Sequence, residues 1–360
     1  MVKKIQFRAK LKGNGIVNYQ GSELRKYFPK GHVLHSDYNN VKYANRNFYE
    51  IDGKLNSKIK ISYECVKSEI LGEIPPPNII ADSDLLIQSI SDLLVFIRGY
   101  MLTAENRSDK KSTTLYLYDC EEIDFNNKKT ISCIDVKTRR GEKVINDHVS
   151  DSTLMYRENV GEIYYSFGGY IDIEKMQFVS LDIIHDRKAF DTDLFDKFKE
   201  SFNENLEPYD IKLTQTEPKQ YIKHMYVDNI NAHQTYVSET GFMIDNDIIN
   251  LLVNLLFKRF QDFSIRKNSG DVEMMLDTLE YRFIENLNSY NDPYVKYTGQ
   301  TINFEPHIIY EEVSDINKEK YKTANDKVLT KRVAKKIKEK EEKADWLAIK
   351  KEKEAVKKDI

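Results

Sequence analysis

Proline and glycine are scarce, with 8 and 14 among 360 residues, and apolar residues make up 40% of the chain. That composition excludes collagen-like, elastin-like and wholly disordered polymers. Cysteine is rarer still: Cys65, Cys120 and Cys133 stand far apart and form no CxxC pair, which argues against a zinc ribbon or a thioredoxin-type centre. An odd, low cysteine count fits a reducing compartment. No apolar run reaches the roughly 18 residues that a membrane span needs, and MVKKIQFRAKLKGNG lacks the apolar core of a signal peptide. These absences lead us to expect a soluble, cytoplasmic protein with no membrane partner. No GxxxxGK[ST], HExxH, GxSxG or kinase motif set is present, so the reading predicts no nucleotide, metal or other cofactor.

Aromatics and charge, by contrast, are plentiful. Tyr and Phe number 23 and 17, and charged residues are 31% of the chain for a net charge of -3. The charge is unevenly placed. Residues 318–360 hold 16 Lys/Arg against 9 Asp/Glu, a balance of +7, so the rest of the chain is acidic. That segment has no Pro or Gly and reads as a solvated helix, with a thin stripe at Leu329, Val333 and Ile337 and an isolated apolar spot at Trp346 and Leu347.

Periodicity places the elements. IQFRAKL alternates apolar and basic residues as a half-buried strand does, and ends at the turn Gly13-Asn14-Gly15. Residues 20–57 read as a long loop or irregular insertion, and KIKISYECV (58–66) as a strand. Asp82, Ser83 and Asp84 offer N-cap chemistry to a helix carrying Leu86, Ile90, Leu93, Leu94, Ile97 and Met101. A polar stretch follows from Thr103 to Ser112, then the strand-like TTLYLYDC and TISCIDV. Residues 137–161 read as loop, and EIYYSFGGYIDI (162–173) as a strand with a Gly-Gly bend, followed by strand-like MQFVSLD. The four-residue spacing of Phe190, Leu194, Phe198 and Phe202 predicts a helix over 190–205. A strand-like run at 235–244 precedes a helix from Asp245 to about Phe263, and VEMMLDTLEYRF is strand-like. The mixture predicts an α+β fold of a 1–317 body, with inserted segments at 20–57 and 103–161, and the 318–360 tail.

Chemistry-bearing positions are few. His32 and His35 form an HxxH pair whose Pro, Gly and Asn surroundings favour a solvated loop over a metal site. Asp182 and Asp186 suit turn capping and a salt bridge better than a shared ion. Tyr164, Tyr165, Phe167 and Tyr170 either stack bases on a sheet face or pack across strands, and packing is favoured. Arg98 with Arg107, Lys110, Lys111 and Ser112 follows one helix, and Arg266 with Lys267 follows another. Both groups mix guanidinium, ammonium and hydroxyl or amide groups, as a phosphate-backbone contact requires. Taken singly, each is better read as helix-dipole pairing in a solvated loop.

Several segments occur together in one order: GNGIVNYQG, FIRGY, KKSTTL, IYYSFGGYIDIEKMQFVSLD and FSIRKNSG. The set resembles the backbone subunit of the Cascade effector complex in variant type I-F CRISPR systems, within the RAMP superfamily, over residues 1–280. The resemblance implies an RRM-like (ferredoxin-like) core with thumb and web insertions. It implies a non-enzymatic subunit that polymerises head to tail along a CRISPR RNA beside other Cascade subunits. Sequence recognition, of target DNA, is left to base pairing with the guide. It further implies RNA contact by Asn18, Arg98, Arg107, Lys110, Lys111, Ser112, Arg266 and Lys267. The tail after 318 has no counterpart in it. Two other readings stand beside this one, a metal-independent CRISPR RNA-processing endoribonuclease of the same fold and a structural interaction protein.

Overall fold

A computed structural model describes residues 1–314 except 16–18, 21, 29, 33, 36–40, 74, 77–78, 80, 105–106, 125–131, 140–143, 146–147, 150–152, 184–186, 224–237 and 267–272. The expected tail helix, Asn18, Lys267 and Asp186 therefore lie outside the described residues.

The molecule is built around the strand Lys4–Asn14. Its alternation puts Ile5, Phe7, Ala9 and Leu11 in the core and leaves Arg8, Lys10 and Lys12 exposed. It pairs antiparallel along its whole length with Glu162–Asp172 on one side and Glu273–Ile284 on the other. The nine-stranded sheet continues past Glu162–Asp172 through Cys120–Glu122 and Lys54–Ile61 to an edge at Arg46–Ile51, with Leu115–Leu117 also paired to Glu162–Asp172. Ser264–Arg266 lies beyond Glu273–Ile284. A second, four-stranded sheet has the order Phe178–Ser180, Ser238–Met243, Lys219–Lys223, Tyr310–Glu312.

Among the described residues six α-helices accompany the sheets: α1 (Tyr63–Leu71), α2 (Ser83–Ile90), α3 (Leu93–Arg98), α4 (Ile173–Met176), α5 (Phe195–Leu206) and α6 (Asn246–Gln261). Phe257 and Phe260 of α6 pack on Phe7, and Phe260 also meets Phe167. Phe198 and Phe202 of α5 meet Phe96 of α3, and Phe198 meets Phe242 of the second sheet. One apolar core thus joins both sheets and the helices between them. Ring pairs of this kind add about 0.5–1.5 kcal/mol each beyond their buried area.

The long periodic elements stand close to where the residue spacing places them, with α5 beginning at Phe195 instead of 190, and five further segments differ. The helix expected over 82–101 is two, because Asp92 accepts hydrogen bonds from the N–H groups of Leu94 and Val95 and starts α3 afresh, as Asp82 starts α2. The strand expected at 58–66 ends at Ile61, since Val66, Ile70 and Leu71 recur at helical spacing and are buried in α1. The 20–57 segment contains the hairpin Arg46–Ile51/Lys54–Ile61, turned by Asp52 and Gly53 at positive φ, a favoured two-residue hairpin turn. The segments 103–112 and 137–161, read as loops, supply hairpin strands: Arg107–Lys111 pairs with Tyr100–Ala104, and Thr153–Val160 pairs with Ser132–Arg139. Neither RSDKK nor TLMYRENV has a clear strand alternation, so here pairing overrides local preference.

The early insertion and the 132–160 hairpin share a separate small core of Leu24, Phe28, Leu34, Val41, Tyr43 and Tyr156. At its margin Glu158, with no exposed surface, accepts a hydrogen bond from the N–H of Ala44 and pairs with the Arg46 guanidinium. His32 and His35 are spent locally: His32 Nδ1 accepts from the N–H of Leu34, and His35 Nδ1 lies 2.8 Å from the carbonyl of Phe28.

Replacing Glu158 with Gln leaves the Arg46 charge buried without its counterion. Losses of this kind run about 3–5 kcal/mol, so the urea midpoint of Glu158→Gln falls well below wild type. Arg46→Met with Glu158→Leu recovers most of that loss. A midpoint unchanged by Glu158→Gln would show that the pair contributes nothing to folding.

Candidate nucleic-acid interface

Strand alternation decides what the sheet presents to solvent. Residues directly opposite in an antiparallel pair share a face, so Gln6, Arg8, Lys10 and Lys12 lie beside Tyr170, Gly168, Ser166 and Tyr164 on one side. Arg282, Glu280, Thr278 and Met275 lie on the other. This is the face turned away from the Phe7 core. The two readings of the 164–170 aromatics therefore divide by parity: Tyr165 and Phe167 are core, whereas Tyr164 and Tyr170 belong to the open face.

The cations of this face are organised on the rings. Lys4 Nζ lies 4.9 Å from the centroid of Tyr170, and Tyr170 stacks on Tyr116 at 4.6 Å and 12°. Lys175 of α4 lies 4.8 Å from the Tyr116 centroid and donates to its hydroxyl. Toward the other side of the central strand, Tyr294 sits between the guanidiniums of Arg8 and Arg282, 4.2 and 4.5 Å from its centroid. Arg8 and Lys12 have carboxylate partners in Glu280 and Glu162, at 2.5 and 3.0 Å. Lys10 is exposed and forms no ion pair among the described residues.

Lys175 also belongs to a cleft lined by Ser112, Phe178, Ser180, Arg187 and Tyr310. Burial works against the Arg187 charge, but a two-point contact with Glu239 outweighs it and raises the pKa. Lys223, across the ring of Tyr310, has its pKa lowered by burial and then by Arg187. A half-buried ammonium whose charge is disfavoured by burial and by a neighbouring guanidinium gains from an arriving anion. The stack Lys175–Tyr116–Tyr170–Lys4 joins this cleft to the open face in a single track of ammonium groups and aromatic rings. Phosphates and unstacked bases are the ligands that such a combination suits.

Only part of the expected site lies on this track. Ser112 does, exposed at the cleft mouth. Lys110 lies on the Arg107–Lys111 strand, half-buried, its N–H donating to the carbonyl of Lys188. Arg107 and Arg266 are placed by backbone alone, on strands. The expectation of solvated charges at Arg98 and Lys111 is corrected. Arg98 is 7% exposed and donates to the carbonyls of Gly72 and Lys67, tying the end of α3 to the end of α1. Burial lowers its pKa. Lys111 is buried in the cleft wall, Nζ 2.7 Å from the carbonyl of Phe96 and 3.8 Å from its ring centroid, and burial takes its pKa down to about 7.

The FIRGY and KKST segments meet for a backbone reason. Gly99 has φ +72°, and a Cβ there would stand 2.5 Å from the carbonyl oxygen of Lys111. Glycine lets the two segments touch, which sets Ser112 and Lys111 in place. The residues of this candidate surface that sequence reasoning missed are Lys4, Arg8, Lys10, Lys12, Tyr116, Lys175 and Arg187. The basic half of the Lys4–Asn14 alternation carried the signal for four of them.

The chain belongs to the type I-Fv CRISPR-associated Cas7fv-like family, whose model matches residues 1–305. Among solved structures it is similar to a chain of a "CRISPR RNA-guided surveillance complex", with 10% identity, 79% of this chain and 71% of that chain covered, and a TM-score of 0.33. It is also similar to a chain of a "CRISPR RNA-guided surveillance complex, pre-nicking", with 10% identity, 79% and 77% covered, and a TM-score of 0.35. No curated protein matches it.

The pKa of Lys111 has a consequence for stability. Between pH 7 and 10.5 the unfolded chain holds a proton there that the folded chain has shed, so this group makes stability rise with pH across that window. Below pH 7 both states are charged and the folded state bears the full cost of burial. Lys111→Met removes the titration. The melting temperature of wild type should therefore gain on that of the variant from pH 7 to 10. Parallel profiles would contradict the assignment.

Proposed function

We propose that the chain is the guide-RNA-binding backbone subunit of a Cascade-type effector and acts by binding, without a catalytic step. The observation that carries this reading is the continuous track from Lys10 and Lys12 through Lys4, Tyr170, Tyr116 and Lys175 to Arg187. Membership of the Cas7fv-like family supports it. Backbone phosphates engage the ammonium and guanidinium groups without reading sequence, which suits a subunit that must hold any guide and leave its bases free to pair with target DNA. Head-to-tail copies of the chain and the other subunits of the complex are its protein partners, in the cytoplasm.

The topology supports an RRM-like core. The strands Leu115–Leu117, Glu162–Asp172, Lys4–Asn14 and Glu273–Ile284 are adjacent in that order. Helices α2 and α3 come between the first strand and Leu115–Leu117, and α6 comes before Glu273–Ile284. The 20–57 and 103–161 segments then serve as web and thumb.

A nuclease reading has one arrangement in its favour. His307 Nδ1 lies 3.0 Å from Glu174 Oε1, and Glu174 also acts on the Lys223 charge. Metal-free cleavage of a CRISPR repeat hairpin that is lost in His307→Ala would establish that reading in place of ours.

Lys10 and Lys175 are exposed, and exposed charges contribute little to folding. Lys10→Glu with Lys175→Glu should weaken guide-RNA binding at least about tenfold at physiological salt. Each lost phosphate contact should also flatten the log affinity against log salt slope by about 0.7. The melting temperature should stay close to wild type. A folded double variant that binds guide RNA at wild-type strength would overturn the track.

A further inference from the structure

The outer face of α5 has the opposite character from the RNA track. Its core side is filled by Phe195, Phe198, Phe202 and Leu206. Outside, Glu200, Glu204, Glu207 and Asp210 line an open groove of about 540 Å³ with Asn203, Ile211 and Lys212. A second groove of about 310 Å³ continues it toward α2, sharing Glu200 and Glu204 and adding Asp84, Ile87 and Lys197. Lys197 is engaged by Asp84 at 2.7 Å. The four carboxylates from Glu200 to Asp210 form no ion pair among the described residues. Glu200 and Glu204, four apart on the helix, repel one another. The fold thus keeps a row of uncompensated negative charge over a groove with apolar Ile87 and Ile211 in its walls.

The chain itself carries the complement. The family match ends at residue 305, and beyond it residues 318–360 carry 16 basic and 9 acidic side chains. The basic residues are densest at Lys327, Lys331, Arg332, Lys335, Lys336, Lys338 and Lys340, interspersed with Leu329, Val333 and Ile337. The last described strand belongs to the sheet that α5 covers. Tyr310–Glu312 is the edge of the second sheet, and α5 covers that same sheet through Phe195 and Phe198 on Phe242. Two strand spacings, about 10 Å, separate the exit strand from the strand under α5. Ten extended residues span about 33 Å, so the tail reaches α5 of its own chain with length to spare.

We propose that residues 318–360 dock in cis on the acidic α2–α5 groove, their ammonium groups neutralising Glu200, Glu204, Glu207 and Asp210. Tethering makes the association intramolecular, so modest contacts suffice. The tail is thereby held on a protein surface and kept off the RNA track. The docking itself does not depend on the guide-binding reading; only its consequence for the track does.

Trp346 is the only tryptophan of the chain, so its fluorescence reports on the tail in the intact protein. Acrylamide quenching of nucleic-acid-free full-length protein should be at least about twofold weaker near 50 mM than near 1 M NaCl, since salt screens the docking charges. It should not depend on protein concentration. In Glu200→Lys, Glu204→Lys, Glu207→Lys the low-salt shielding should be lost, and the glutamine versions of the same three positions should lose it as well. Circular dichroism checks that α5 remains folded in each. Quenching that is insensitive to salt, or shielding that survives both variants, would overturn the proposal. Shielding that grows with protein concentration would place the tail on a second copy. Shielding that appears only when RNA is added would place it on nucleic acid. Either of these two outcomes also overturns docking in cis.

Discussion

The period-two alternation of Lys4–Asn14 is the constraint on which the rest depends. One parity, Ile5, Phe7, Ala9 and Leu11, faces the helices and is buried. The other, Lys4, Arg8, Lys10 and Lys12, is obliged by the same geometry to line the opposite face. A strand at the centre of a sheet cannot shift register by one residue without moving its apolar set into water and its cations into the core. Pairing along its whole length on both sides locks that choice. The folding requirement and the cationic surface are thus the two parities of one strand.

The neighbouring strands extend this logic. Glu162–Asp172 repeats the alternation with aromatics, so Tyr165 and Phe167 enter the core while Tyr164 and Tyr170 join the cationic face. Gly169 allows Leu115–Leu117 to close against it, since a Cβ there would collide with the Tyr116 carbonyl. That close approach brings Tyr116 onto Tyr170 and carries the track to Lys175 and the cleft. A basic face on a chain of net charge -3 follows from placement rather than composition, with acidic groups gathered elsewhere, notably on α5.

Local patterning made much of this legible. The α6 helix, the Asp82 cap and the strands 4–14, 162–172 and 273–284 follow from residues within each segment. The hairpins at 100–111 and 132–160 do not, because their strands are specified by partners across the pairing rather than by their own polar sequences. The fate of Arg98 and Lys111 was hidden for a related reason. Arg98 is held by the carbonyl of Gly72 at the end of α1, a helix that the local pattern disguised as a strand. Lys111 is held by the carbonyl of Phe96 through a glycine contact that only the folded chain reveals. Charge counting finds basic residues but not which of them are committed to the fold. The parity of a central strand is the better guide here.

The most direct measurement is ultraviolet cross-linking of the RNA-bound protein, with the linked residues mapped by mass spectrometry. Tyrosines stacked near bases cross-link efficiently and report contact without altering the protein. The account predicts cross-links at Tyr116, Tyr164 and Tyr170 and on the adjoining strand Lys4–Asn14. Cross-links confined to α5, to the Arg46–Ile51 edge or to the tail, with none on the open sheet face, would contradict it.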